Sequence, residues 1–203
     1  MILGLVPCTA GAKRWRGREA TRWSVGRIRS SGVAFIPEDA LNMAAVPGLT
    51  ALENMALGDT GRYARAGGLA MDWAAVRRDL ERALARLRVT LPSLDLPAGA
   101  LSGGNVQRMI LARETAHVPD LIVAFYPTRG LDVRSAVAAR ELLLASRDRG
   151  AGVLLISEDL DELLVLSDRL AVLHRGRIVA TATPQSITIQ EIGYLMTGSS
   201  GRP

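Results

Sequence analysis

The sequence has little of what marks several classes of protein. Its 203 residues include one cysteine, Cys8, so an internal disulfide is excluded and a reducing compartment is favoured. Apolar runs are short: "ELLVLSDRLAVL" is interrupted by Ser167, Asp168 and Arg169, and no run reaches the ~18 to 20 residues of a membrane span. Any link to a membrane is therefore expected to come through a partner.

Aromatic residues make up only 4% of the chain. The three tryptophans lie on separate predicted elements and are interpreted as packing residues, so no platform for stacked bases is predicted. Basic charge is concentrated in residues 1–30, where seven lysines and arginines face the single acid Glu19. With no nucleic-acid-binding motif beside it, we interpret this stretch as solvated surface and predict no nucleic-acid partner.

Alternating strand and helix patterns predict an α/β fold. An apolar run at 32–36 predicts a buried strand that leads into a loop, and residues 72–89 carry apolar side chains at helical spacing. From residue 101 onwards we predict helices at 102–117, 133–147 and 159–166, strands at 121–125, 152–157 and 169–174, a turn at Arg175 and Gly176, and a last strand. Because these strands are apolar throughout, the pattern indicates a parallel sheet covered by helices on both faces.

The segment "LSGGN", residues 101–105, is the most specific local feature. Ser102, Gly103 and Gly104 open a predicted helix whose first backbone N–H groups have no partner within the helix. Two glycines let an anion approach that main chain closely, so the segment is a candidate phosphate site. Taken alone, the same residues are also typical of an ordinary helix cap.

The order of motifs adds to this reading. "LSGGN" is followed by the apolar strand at 121–125, then "PTRGLD", a helix, a second apolar strand and "SED". This order resembles the ATP-binding cassette of ABC transporters, with its signature motif, Walker B strand, D-loop and switch loop. "GVAFIPED", "VPGLTALENMAL", "PTRGLDVRSA" and Gln107 after the signature resemble the second, C-terminal cassette of importers for simple sugars and nucleosides.

The resemblance implies a fold and a division of the chain. The fold is a P-loop NTPase-like α/β cassette, with a parallel sheet flanked by helices and a helical signature subdomain at about 41–117, lacking the Walker A strand and loop. Residues 1–31 are expected to be a basic, β-rich remnant of the N-terminal part of the cassette. Residues 32–203 are expected to form the cassette core.

The phosphate loop of such cassettes is missing from these residues. It reads GxxxxGK followed by Ser or Thr, and its lysine neutralises phosphates. The one lysine, Lys13, stands between Ala12 and Arg14 and lies too close to Gly32 for a loop, a helix and a returning strand. By resemblance, we expect the chain to begin just after the place of that loop.

Four further positions depart from the family pattern. Phe125 occupies the place of the Walker B aspartate, and a phenyl ring has no lone pair for Mg²⁺. Tyr126 occupies the place of the catalytic glutamate, but a tyrosine hydroxyl stays protonated at neutral pH and is a poor general base. Glu158 replaces the switch histidine, and Glu38 takes the place of the Q-loop glutamine. We therefore expect this ATPase-type chain to be inactive on its own.

The resemblance still implies a role, because two cassettes of the family pack head to tail around each ATP. The signature residues would contact an ATP whose Mg²⁺ is held by a partner cassette, and Asp132 of the D-loop would cross the interface. The residues expected to serve the nucleotide are Leu101, Ser102, Gly103, Gly104, Asn105, Gln107, Asp132 and Glu38. The other implied partners are transmembrane permease subunits and, indirectly, an extracellular or periplasmic substrate-binding protein, which places the chain at the inner face of the membrane.

Two alternatives remain open from the sequence. The first alternative is that the chain is a truncated remnant or mis-started product of such a subunit. In that case the missing strand leaves sheet edges exposed, and no stable fold is expected. The second alternative is that the chain is an ABC ATPase outside transport, a class that needs the catalytic acids that Phe125 and Tyr126 replace here.

Overall fold

The computed structural model describes residues 2–198. They fall into two compact units, and the division lies between Leu154 and Leu155. The division predicted between residues 31 and 32 separates a remnant from the cassette core by family resemblance, and it stays a prediction. The helices of the first unit are α1 (Val25–Ser30), α2 (Ala40–Met43), α3 (Ala51–Gly58), α4 (Thr60–Tyr63), α5 (Trp73–Arg86), α6 (Gly103–Thr115) and α7 (Val133–Asp148). Its strands are β1 (Arg14–Trp15), β2 (Arg18–Glu19), β3 (Val33–Ile36), β4 (Ala64–Arg65), β5 (Ala70–Met71), β6 (Leu121–Phe125) and β7 (Gly152–Ile156). The division between the units falls inside β7. The second unit contains α8 (Leu160–Leu166), β8 (Leu170–His174), β9 (Arg177–Ala182) and α9 (Ile189–Thr197).

The central sheet has the strand order β3-β6-β7, and β3 and β6 run parallel. Val33 pairs with Leu121 and Ile36 with Ala124, so the two strands end together. Ile36 and Ile122 are fully buried, and helices α1 and α6 pack on β3. The predicted parallel α/β sheet is therefore confirmed, and it places the loops after β3 and after β6 side by side.

The helices between residues 40 and 115 form the second layer of the first unit. The predicted amphipathic helix is α5, and its buried residues Val76, Leu80, Ala83 and Leu84 face α3 and α6. Asp72 caps this helix by accepting from the Ala75 N–H. Burying one continuous apolar face against two helices stabilises the layer from which α6 projects its N-terminal end.

Two expectations about the sheet were wrong. Strand β7 is not buried on both faces, since Leu154 and Ile156 remain 37% and 39% exposed. It lies at the edge of the sheet, and among residues 2–198 no strand pairs with its outer side. Strand β8 does not extend the parallel sheet either, because it pairs antiparallel with β9.

The β8–β9 pair is a hairpin closed at the predicted turn. Arg175 and Gly176 both have positive φ, 47° and 76°, which is the geometry of a tight two-residue hairpin turn. Leu170, Val172 and Ile192 form a small core between this hairpin and α9. Within residues 2–198, no helix combines the length and the apolarity that crossing a bilayer would require.

Candidate functional site

The site begins at the N-terminal end of α6. Ser102 is its N-cap, with extended backbone and a side-chain oxygen that accepts from the Asn105 N–H at 3.4 Å. Ser102 and Gly103 are exposed, whereas Leu101 before them and Val106 after them are buried. The fold thus anchors this helix start on both sides and leaves its backbone N–H groups at the surface, where the helix dipole favours an anion.

The two glycines have different reasons to be there. A Cβ at Gly104 would lie 3.3 Å from the Gly130 carbonyl oxygen, so this glycine allows the loop after β6 to approach α6 closely. A Cβ at Gly103 would meet nothing within 4 Å, and its φ is not in the left-handed region. Internal packing therefore does not require glycine at 103, and the space above it is open to an outside group.

Gln107 lies one turn further along α6 and is 3% exposed. Its side-chain amide donates to the carbonyl oxygens of Pro37 (3.4 Å) and Pro127 (3.1 Å). The residue therefore lies between the loops that follow β3 and β6, while the exposed helix start is formed by the residues before it. Its expected contact with ATP stays a prediction.

Asp132 is the N-cap of α7 and a partner of α6. It accepts from the backbone N–H and the hydroxyl of Ser135, at 3.0 and 2.8 Å, and from the guanidinium of Arg108. These bonds, with the Ser135 side chain contributing most, lower the pKa of Asp132 from 3.8 to about 2. Arg108 also donates to the Asn105 side-chain oxygen at 2.9 Å, so the start of α6 and the start of α7 are joined.

Phe125 and Tyr126 stand together at the end of β6. Their ring centroids are 4.7 Å apart and the planes are tilted by 60°. Tyr126 has a left-handed backbone, with φ 49°, an uncommon conformation for a residue with a bulky side chain. Two aromatic rings offer no oxygen ligands of the kind that Mg²⁺ prefers, so these residues do not fit a metal-holding role.

Glu38 lies in the loop after β3 and forms an ion pair with Arg129 in the loop after β6. Arg129 also lies over the Tyr126 ring, with its guanidinium carbon 5.8 Å from the ring centroid. The loops after β3 and β6, which Gln107 joins by hydrogen bonds, are therefore also joined by the ion pair between Glu38 and Arg129.

The other residues singled out in the sequence lie away from this cluster or in the second unit. His117 follows α6 and lies beside Tyr63 and Asp79, and its burial lowers its pKa. His174 ends β8 and donates from Nδ1 to the Met196 carbonyl oxygen at 2.7 Å. Glu158 is an exposed residue of the loop between β7 and α8. Lys13 donates from Nζ to the Ile2 carbonyl oxygen at 3.2 Å.

Sequence reasoning missed the charged residues that hold this region together. Arg129 stands inside the motif "PTRGLD" and Arg108 directly follows Gln107, but the spacing of these residues did not show that each lies next to an acid in space. A third set surrounds Glu114 at the end of α6, whose carboxylate accepts from Arg29, Arg113 and the Phe35 N–H, each at 2.9 Å. The usable signal was an Arg-Glu pair closing an apolar helix, since buried charges are normally paired.

Known proteins place these features in a family context. No protein-family model matches the chain. The glucose import ATP-binding protein TsgD13 of Haloferax volcanii is 38% identical over 98% of this chain. The nucleoside import ATP-binding protein NupA of Lactococcus lactis is 34% identical over 98% of it, and the ribose import ATP-binding protein RbsA of Roseobacter denitrificans is 33% identical over all of it.

Solved structures agree on the fold. The ATP-binding cassette MJ0796, in a dimeric structure bound to ADP and Pi, has a TM-score of 0.77 at 23% identity and covers 91% of this chain and 78% of its own. CbiO1 from Clostridium perfringens, part of an ABC transporter complex, has a TM-score of 0.68 at 18% identity, over 91% of this chain and 70% of its own. The chain has the ATP-binding cassette fold and is a homologue of sugar and nucleoside import ATP-binding proteins.

This cassette spans only part of its relatives. It covers 36% of TsgD13 and 39% of NupA and of the Roseobacter RbsA. The motif positions found in the sequence lie, in the cassette, at the start of α6, at the start of α7 and in the loops after β3 and β6.

Proposed function

We propose that this cassette serves an ATP-driven importer of simple sugars or nucleosides by presenting the start of α6 to an ATP held mainly by a partner cassette. The observation that carries the proposal is the exposed, capped helix start with open space above Gly103. Its N–H groups and dipole suit a phosphate, and the names of the homologues supply the transport context.

The residues at the end of β6 support a division of labour in which the partner cassette carries out the chemistry. Phe125 and Tyr126 supply neither a metal ligand nor a general base, and the sequence holds no phosphate loop. When bound, ATP with its Mg²⁺ would be positioned and activated by the partner's residues, while Ser102 and the first amides of α6 orient phosphate oxygens. We accordingly expect no ATP hydrolysis by the purified cassette alone.

A groove in the first unit offers a place for a permease. It has a volume of about 380 Å³ and is lined by Leu3, Leu5, Phe35, Met43 and Leu57, with Arg113 at its wall. Leu5, Met43 and Leu57 are between 48% and 63% exposed, so an apolar helix of a membrane subunit would gain from covering them. Such an assembly would keep the cassette at the inner face of the membrane, with any substrate-binding protein on the other side.

The decisive variant is Gly103→Glu. The helix dipole favours a carboxylate in the first turn of α6, and a Cβ at this position meets no protein atom within 4 Å, so folding stability should be unchanged or slightly higher. The same charge would repel a triphosphate. ATP-dependent association with a phosphate-loop-bearing cassette of the same importer, measured by light scattering, should therefore be lost.

The matched control is Gly26→Glu, in the first turn of α1. A Cβ there also meets nothing within 4 Å, so the chemical change and its surroundings are alike. This variant should associate as the native chain does. The proposal fails if the native chain shows no ATP-dependent association, or if Gly103→Glu associates normally; a chain without a cooperative unfolding transition would instead support the remnant alternative.

A separate variant tests the groove. Leu57→Asp should abolish binding to detergent-solubilised permease subunits and leave ATP-dependent association with the partner cassette unchanged. If permease binding persists, the groove is not the docking place.

A further inference from the structure

Three segments meet behind the exposed start of α6. They are the loop after β3 (residues 37–39), the loop after β6 (residues 126–132) and the second turn of α6, which carries Gln107. The Gln107 amide donates to the Pro37 and Pro127 carbonyl oxygens, and the residue is almost fully buried. One amide group thus joins the two loops, and a relative displacement of the loops would lengthen at least one of these bonds.

The Glu38–Arg129 ion pair fixes that relative position from the solvent side. Glu38 comes directly after Pro37, and Arg129 comes two residues after Pro127. Arg129 is itself held in place, because its N–H donates to the Tyr126 carbonyl oxygen at 3.1 Å and its guanidinium lies over the Tyr126 ring. The pair therefore links two short, internally ordered turns.

The loop after β6 in turn contacts the helix start. The Gly130 carbonyl oxygen lies where a Cβ of Gly104 would be 3.3 Å away, and Asp132 accepts from Arg108 of α6. A shift of this loop would move the surface beside Gly103 or break these contacts. The position of the loop and the position of the exposed amides are thus mechanically connected.

We infer that Glu38 is a positioning residue, which holds the loops after β3 and β6 together through Arg129 and so keeps the start of α6 in the arrangement that an incoming phosphate needs. The carboxylate acts on the protein's own guanidinium, not on the nucleotide. The link is internal to this chain, while its effect on ATP-dependent association rests on the proposed function. Glu38 is 30% and Arg129 59% exposed, so the pair adds little to overall stability and its effect is on local geometry.

The test uses charge removal and charge exchange. Glu38→Gln and Arg129→Glu should each weaken ATP-dependent association with the partner cassette by about 3- to 10-fold, the size of effect found when residues that do not contact the ligand alter a binding site. The double variant Glu38→Arg/Arg129→Glu restores an ion pair and should return to within about twofold of the native affinity. The control is Asp95→Asn, which removes the acid of another exposed pair, Arg77–Asp95, and should leave ATP-dependent association unchanged.

A second measurement needs no partner. Amide hydrogen exchange on the isolated chain should become faster at 38–39 and 128–132 in both single variants and return to native rates in the exchanged pair. If the native chain fails to associate while exchange behaves as described, the proposed function falls and the positioning role of Glu38 within the chain stands. Unchanged exchange in Glu38→Gln, or no rescue by the exchanged pair, overturns the inference.

Discussion

Replacing Glu114 by glutamine removes the negative charge from a buried ion cluster at the end of α6. The Glu114 side chain is 1% exposed, and its carboxylate accepts from the guanidinium groups of Arg29 and Arg113 and from the Phe35 N–H. Burial raises the pKa of this carboxyl, but the attraction of Arg113 and then Arg29 outweighs it, and the pKa lies below the ordinary 4.5. The group is therefore charged in the folded protein at neutral pH.

The expected loss of unfolding free energy follows from the Arg113 charge that the substitution leaves buried. The Arg113 side chain is 7% exposed, and the bonds that remain to it go to two neutral acceptors, the carbonyl oxygens of Ala44 at 2.7 Å and Asn54 at 3.5 Å. Glutamine keeps the shape and the bond from Phe35 but leaves a nearly buried cation without its counter-charge. Breaking one side of such a pair costs about 3–5 kcal/mol of unfolding free energy. For a chain of this length, that corresponds to a fall in Tm of about 6–20 °C.

The assay is urea unfolding at pH 7, followed by far-ultraviolet circular dichroism. The matched control is Asp95→Asn, the same loss of charge opposite Arg77 in a pair whose side chains are 43% and 69% exposed, where a cost of about 0–1 kcal/mol is expected. The double variant Arg113→Met/Glu114→Gln should cost less than the sum of its single variants, because it leaves no unpaired charge at 113. Equal costs for Glu114→Gln and Asp95→Asn would refute this account of the cluster.

Two further predictions concern Gln107 in α6 and His117, which follows this helix. Gln107→Leu keeps the side-chain volume but leaves the buried carbonyl oxygens of Pro37 and Pro127 without their donor, so unfolding free energy should fall by about 1–3 kcal/mol in urea titration; no loss would show that water takes over both bonds. Burial lowers the pKa of His117 below its ordinary 6.5, so the unfolded chain takes up a proton first as pH falls from that value, and stability contributed by the neutral ring is lost on acidification. His117→Gln should therefore show a smaller loss of Tm between pH 7 and pH 5 than the native chain, and parallel curves would contradict the assignment.

Regular elements could be predicted from the sequence where the pattern was long and periodic. The helix expected at 133–147 is found at Val133–Asp148, and the strand expected at 121–125 is found at those positions. The exposure of β7 and the antiparallel pairing of β8 could not be predicted, because an apolar run shows what a strand is able to bury and not which neighbour it has. Burial depends on the neighbouring strand, which local sequence does not encode.

The candidate site divides in the same way. Ser102, Gly103 and Gly104 could be recognised as a helix start suited to an anion because capping depends on residues within one turn. Other features depend on segments far apart along the chain. They are the close approach of the Gly130 carbonyl oxygen to Gly104, the bonds from Gln107 to two carbonyl oxygens, and the ion pair between Glu38 and Arg129. The roles of these residues toward ATP remain predictions that the proposed association experiments address.

The amino-acid sequence by itself determined the order of motifs, the capped start of α6 and the replacement of acids by Phe125 and Tyr126, because each is fixed by neighbours along the chain. Only the tertiary structure decided which charges neutralise one another. Arg29 and Glu114 are 85 positions apart, and Arg108 and Asp132 are 24 apart. Hydrogen bonds form only within a few ångströms, and the attraction between charges weakens with distance and with screening by salt, so these pairs form only once the sheet and helices have brought distant segments together.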